Sequence, residues 1–131
     1  LNGIAAVLPT FIAQKSGHVL ATSSVSGLKA YPGAGVYCGT KWAVKAIMES
    51  LRMESAQART NIRTATIYPA AVQSELVDHI TDSATSGGYR KLYDTYEIPA
   101  ERVASVVAFA LNQPDDTNIS EFTIGPTTQP W

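Results

Sequence analysis

The chain has 131 residues, the size of one ordinary domain with a modest core. Hydrophobic residues make up 45% and charged residues 16%, a balance that excludes a disordered chain. A net charge of −1 gives no electrostatic footprint for nucleic acid or for an anionic membrane surface, and no apolar run approaches the roughly 18 residues of a bilayer span.

The opening LNGIAAVLPTFIAQ sets Leu1, Ile4, Ala5, Leu8, Phe11 and Ile12 at helical spacing, predicting a helix over 1–14 with a bend at Pro9. It carries no basic region or cleavage site, so it does not read as a signal peptide. A helix that starts with no capping residue ahead of it reads as cut, and the chain is expected to be the carboxyl-terminal part of a longer fold. KSGH then supplies a cationic last turn and a glycine stop.

HVLATSS, rich in apolar and β-branched residues, predicts a buried strand. Three glycines and a proline make 25–36 a loop. A long helix follows over about 37–58, with Val44, Ile47, Met48 and Leu51 on one face. NIRTATIYP is a second strand ended by Pro69, which cannot donate to a central ladder. Residues 70–96 are polar and interrupted by Ser86, Gly87 and Gly88; they read as a mobile lid with two short helices. From Pro99 a helix carries Val103, Val106, Val107, Ala110 and Leu111 in period, stopped by NQPDD. SEFTIG is a third strand and PTTQPW a short tail.

This α-β-α-β-α-β order predicts an α/β fold: a partial parallel sheet of about three strands, flanked by helices, in one domain over 1–131. Ligands of such sheets bind outside the carboxyl ends of the strands, where Ser24 and the YPAAV stretch both fall.

Tyr37 and Lys41 stand four residues apart on the long helix and so share a face. A lone Tyr-x-x-x-Lys is ordinarily a surface pair worth a few tenths of a kcal/mol. Its setting changes the reading, because Ser24 ends the preceding strand and a Gly-Pro loop turns the chain back on it. An ammonium about 4 Å from a phenolate gains roughly 4 kcal/mol at an effective dielectric near 20, which eases release of the phenolic proton. A phenol so poised can give a proton to a carbonyl or take one from an alcohol, and a serine hydroxyl can hold the same oxygen as charge moves onto it.

Ser24, Tyr37 and Lys41, spaced by thirteen and four residues, resemble the catalytic serine, tyrosine and lysine of short-chain dehydrogenases/reductases. GHVLATSSVSG is similar to that family's strand leading to the serine, YCGTKWAV to its active-site helix, and IRTATIYPAAVQSEL to its next strand and nicotinamide-side loop. The resemblance runs from about residue 1 to residue 112 and implies the carboxyl-terminal part of a doubly wound, Rossmann-like fold. It implies an NAD- or NADP-dependent oxidoreductase interconverting an alcohol and a ketone or aldehyde. Tyr37 would be the general acid/base and also contact the cofactor, Ser24 would polarise the substrate oxygen, and Lys41 would bind the nicotinamide ribose while lowering the pKa of Tyr37. Pro69, Ala70, Val72 and Ser74 would line the nicotinamide end, with Ala70 where glycine is common and Ser74 where threonine is common.

The family's glycine-rich pyrophosphate turn has no counterpart in these residues, and the residue that selects NAD or NADP is missing with it. These 131 residues alone are therefore expected to bind dinucleotide weakly and to be impaired as an enzyme. The alternative is an inactive module that only associates with other chains. Asn2 falls about two turns too late to be the family's catalytic asparagine and is not assigned.

The single cysteine, Cys38, excludes an internal disulfide, fits a reducing cytoplasm and reads as a small buried residue. His18 and His79 lack the company of other metal ligands, so no metal is expected and both read as surface or hydrogen-bonded histidines. Trp42 and Met48 read as packing residues in the core or against a second subunit. The family resemblance implies a homo-oligomer formed through the first two helices, and an uncovered HVLATSS edge would itself invite pairing with another chain.

Overall fold

The computed structural model describes residues 1–130. Its elements are α1 (Asn2–Gln14), β1 (Gly17–Thr22), α2 (Gly35–Ala58), β2 (Ile62–Pro69), α3 (Ser83–Tyr96), α4 (Ala100–Leu111) and β3 (Glu121–Ile124). Short 3-10 turns at Val25–Gly27 and Glu75–His79 follow β1 and β2. The strands form one parallel sheet in the order β1-β2-β3. The α/β class and the three strands agree with the expectation from sequence.

The core centres on β2. Neighbouring residues of a strand point to opposite faces, yet Ile67 and Tyr68 are 1% and 0% exposed, so both faces of this strand are covered. Removing a side chain such as Ile67 from water contributes about 1.5–3 kcal/mol. α2 packs against β2 and buries Cys38, Met48, Leu51 and Ser55. At its far end Ser55 Oγ accepts from the Ile62 N–H at 3.1 Å and donates to the Ile62 carbonyl at 2.9 Å, stapling helix to strand.

Tyr68 donates to Glu121 Oε1 at 2.8 Å, and Lys45 of α2 stands 3.7 Å from the same carboxylate. Burial, the hydrogen bond to Glu121 and that residue's charge hold the Tyr68 phenol well above the ordinary tyrosine range. The group stays a donor at any working pH, linking β2 to β3.

Four sequence expectations are refined. Helix α1 ends on Lys15 in the left-handed conformation (φ 52°), not on glycine. Gly17 instead opens β1, because the Phe11 ring occupies the space that a Cβ there would need. Residues 70–96 hold a full fourteen-residue helix, α3, across Gly87 and Gly88. Each helical glycine costs about 1 kcal/mol against alanine. The Asp82 cap, accepting from the Thr85 N–H at 2.8 Å, offsets part of that cost. His18 is neither exposed nor hydrogen-bonded: both ring nitrogens are sealed without a partner, and burial together with Arg63 lowers its pKa. The tail's last residue, Trp131, lies outside the described residues.

Candidate active site

The site is assembled where β1 and β2 end and α2 begins. β1 closes at Thr22, and the ladder continues one residue further, with the Ser23 N–H donating to the Ile67 carbonyl at 2.7 Å. The two serines then part, as extended residues must. Ser23 turns inward, 3% exposed, and donates from Oγ to the Lys41 carbonyl at 2.9 Å. Ser24 stays at the sheet edge, where its hydroxyl accepts from the Ser26 N–H at 3.1 Å and reaches the Pro69 carbonyl at 3.5 Å. One hydroxyl thus fastens α2 to the strand end; the other spans the tips of β1 and β2.

Gly27 completes the joint. A Cβ on it would fall on Ser23 Oγ and within 2.9 Å of the Lys41 carbonyl oxygen. The 3-10 turn lies flat on α2 because this position has no side chain.

Lys41 and Tyr37 come together on the exposed side of this joint. The Lys41 ammonium sits 5.6 Å from the centre of the Tyr37 ring and donates to the Thr22 carbonyl at 3.4 Å. Burial lowers the Lys41 pKa from its ordinary value. Tyr37 remains 38% exposed, open to an incoming molecule. Among the described residues, no hydrogen bond joins Ser24 to Tyr37. Cys38, one residue on, is buried with Sγ 3.8 Å from the Lys29 carbonyl, the packing role expected of it.

The loop after β2 is held tightly. Pro69 pairs with Ile124, and the Ala70 N–H donates to the Ile124 carbonyl at 2.8 Å. Val72 forms a parallel bridge with Ile98. Ser74 caps the next turn, accepting from the Leu76 N–H at 3.4 Å. Pro69, Ala70 and Val72 therefore lie along the same carboxyl edge as Ser24. Ser74 leads away from it into the turn Glu75–His79.

Sequence reasoning passed over two contributors to this region. Ser23 was overshadowed by its neighbour in the Ser-Ser pair. Gln129, in the tail, bonds the Ala71 N–H at 3.0 Å. The Tyr93 phenol of α3 has its pKa raised by burial, with the Tyr37 and Tyr89 phenols adding to the shift.

Comparison with known proteins decides what this arrangement belongs to. The family profile described as short chain dehydrogenase matches residues 1–85. The chain belongs to the short-chain dehydrogenase family. It is 66% identical, over all 131 residues, to an uncharacterized oxidoreductase of Listeria innocua, covering 53% of that protein. The closed form of a serine dehydrogenase complexed with NADP+ superposes with a TM-score of 0.85 at 27% identity, over 97% of this chain and 51% of that one. Serine dehydrogenase from Escherichia coli shares the fold, with a TM-score of 0.75 at 24% identity, over 98% of this chain and 48% of that one. The chain spans about half the length of the curated relatives it matches. Among the described residues no helix is long and apolar enough to cross a membrane, and no cluster of metal-binding side chains is found.

Proposed function

We propose that the short-chain dehydrogenase bearing these residues interconverts an alcohol and a ketone or aldehyde, using NAD or NADP. The observation that carries this reading is the Lys41 ammonium over the Tyr37 ring, beside a strand end whose last hydroxyl is Ser24. When bound, the nicotinamide would supply or accept the hydride. In the reducing direction Tyr37 gives its phenolic proton to the substrate oxygen as the carbonyl becomes an alcohol, and in the oxidising direction it takes that proton back. Ser24 donates a hydrogen bond to the same oxygen while charge builds on it.

The donor set at Lys41 fits a cofactor ribose. An ammonium has three N–H donors, and one of them is spent on Thr22, which leaves two for ribose hydroxyls. Pro69, Ala70, Val72 and Ser74 are assigned to the nicotinamide side.

Fluorescence titration of the full-length protein with NADH and NADPH tests the reading. Lys41→Met should weaken the dinucleotide that binds by about tenfold, the worth of a charged hydrogen bond. The sign of the pH dependence follows from burial, which lowers the Lys41 pKa. The cation is complete below that pKa and is lost as pH rises through it, so affinity should fall at a lower pH than an ordinary lysine would set. Equal affinity of wild type and Lys41→Met at every pH would overturn the assignment.

The same proposal places the protein in the cytoplasm, in keeping with one buried free cysteine, and makes it a homo-oligomer through α1 and α2. Trp42 on α2 is 47% exposed, an apolar side chain for such an interface to cover. Sedimentation of the full-length protein should give a multiple of the protomer mass, and a single monomeric species would overturn the oligomer.

A further inference from the structure

The loop that follows β2 is controlled from outside itself, and its backbone hydrogen bonds show by what. The Ala70 N–H goes to Ile124 at 2.8 Å, the Ala71 N–H to Gln129 Oε1 at 3.0 Å, and the Gln73 N–H to Ile98 at 2.9 Å. The Ala71 carbonyl accepts from the Ile98 N–H at 3.1 Å. Ile98 therefore holds the loop on both sides of Val72, in the pattern of a parallel bridge. In an extended chain the backbone groups of successive residues alternate in direction. The N–H and C=O of Val72 accordingly face away from Ile98, and neither has a hydrogen-bond partner among the described residues.

Of these anchors only Gln129 is a side chain. It belongs to the tail beyond β3, where its own N–H turns back to the Pro126 carbonyl at 3.3 Å, and it lies 58 residues from its partner. Ala71 is 1% exposed, so water cannot replace this acceptor, and a buried N–H without a partner is expensive. Gln129 does not approach Tyr37, Lys41 or Ser24 by any hydrogen bond among the described residues.

We infer that Gln129 is a positioning residue for the nicotinamide half of the cofactor, holding the Ala71 amide so that the Val72 backbone presents its free groups to the ring. This rests on the dinucleotide reading given above. It assigns the carboxyl-terminal tail a share in the site that its distance in sequence conceals. Leaving a buried donor without its partner typically costs tenfold or more.

The experiment compares two kinds of probe on the full-length protein: NADH and NADPH, against ADP-ribose and its 2′-phosphate, which lack nicotinamide. Gln129→Leu removes the acceptor at similar size. It should weaken the dinucleotide by about tenfold while leaving the matched ADP-ribose within about twofold of wild type. Gln129→Glu keeps an acceptor oxygen at the same reach and should restore dinucleotide affinity to within about threefold of wild type. If the leucine variant does not fold, Gln129→Ser, too short to span the gap, is held to the same outcomes.

Dinucleotide affinity unchanged in the leucine variant overturns the inference, as does equal weakening of both kinds of probe, which would make Gln129 a general structural contact. Wild type binding neither kind of probe overturns the dinucleotide reading itself, and that result is distinct from the other two.

Discussion

Tyr37→Phe in the full-length protein is expected to lower kcat by about 10²–10⁴-fold, the usual worth of a positioned general acid or base, while dinucleotide affinity stays within about twofold of wild type. Phenylalanine keeps the ring that lies beneath the Lys41 ammonium at 5.6 Å, and its apolar contacts survive. What it lacks is the O–H. Lys41 keeps its bond to the Thr22 carbonyl and the remaining donors for a ribose. The substitution therefore separates proton transfer from cofactor binding, which a change at Lys41 would confound. Steady-state oxidation of NADH or NADPH with a carbonyl substrate gives kcat, and fluorescence titration gives affinity. A phenylalanine variant that turns over within about fivefold of wild type would remove Tyr37 from the chemistry.

Much of this site was legible because its residues are joined by short-range rules. Ser24 follows a strand whose apolar, β-branched character is plain, and Tyr37 and Lys41 share a helix face by spacing alone. Pro69 announces the end of β2. Each inference needs only a local period and one turn, and each element appeared within a few residues of its expected place. The parallel sheet followed from the alternation of strands and helices, since a parallel pair requires a crossover between its members.

What escaped notice depends on partners distant in sequence or on compensation between small terms. Helix α3 carries two adjacent glycines that depress its local signal, while its Asp82 cap stabilises its start. Lys15, not a glycine, ends α1, and the glycine two residues on, Gly17, is needed instead where the Phe11 ring leaves no room for a Cβ. Gln129 looks like an ordinary tail residue until the fold brings it to Ala71. His18 reads as a surface or hydrogen-bonded residue, yet on the edge strand β1 both its ring nitrogens are sealed without a partner. In each case the deciding neighbour is supplied by tertiary packing, and periodicity carries no record of it.

Gly27 shows how such a neighbour governs the site, and its substitution is expected to do damage beyond its size. Its backbone does not occupy the left-handed region that favours glycine, so the constraint is space. A Cβ at this position collides with Ser23 Oγ and approaches the Lys41 carbonyl oxygen to 2.9 Å and its carbon to 3.2 Å. The hydroxyl could swing aside. The carbonyl cannot, being part of the α2 backbone, so the helix must lift away from the 3-10 turn. That movement carries Tyr37 and Lys41 away from Ser24 together and breaks the 2.9 Å bond from Ser23. Gly27→Val should cost about 1–3 kcal/mol of stability through overpacking, read by urea denaturation. It should also lower kcat/KM by about 100-fold, the effect of displacing a catalytic group by roughly an ångström. Adding Ser23→Ala to Gly27→Ala relieves only the first clash, and that double variant should remain impaired because the Lys41 carbonyl still obstructs the methyl group. Full activity in the double variant would show that the backbone of α2 yields freely, and the close fit of turn and helix would then not be what sets Ser24, Tyr37 and Lys41 in register.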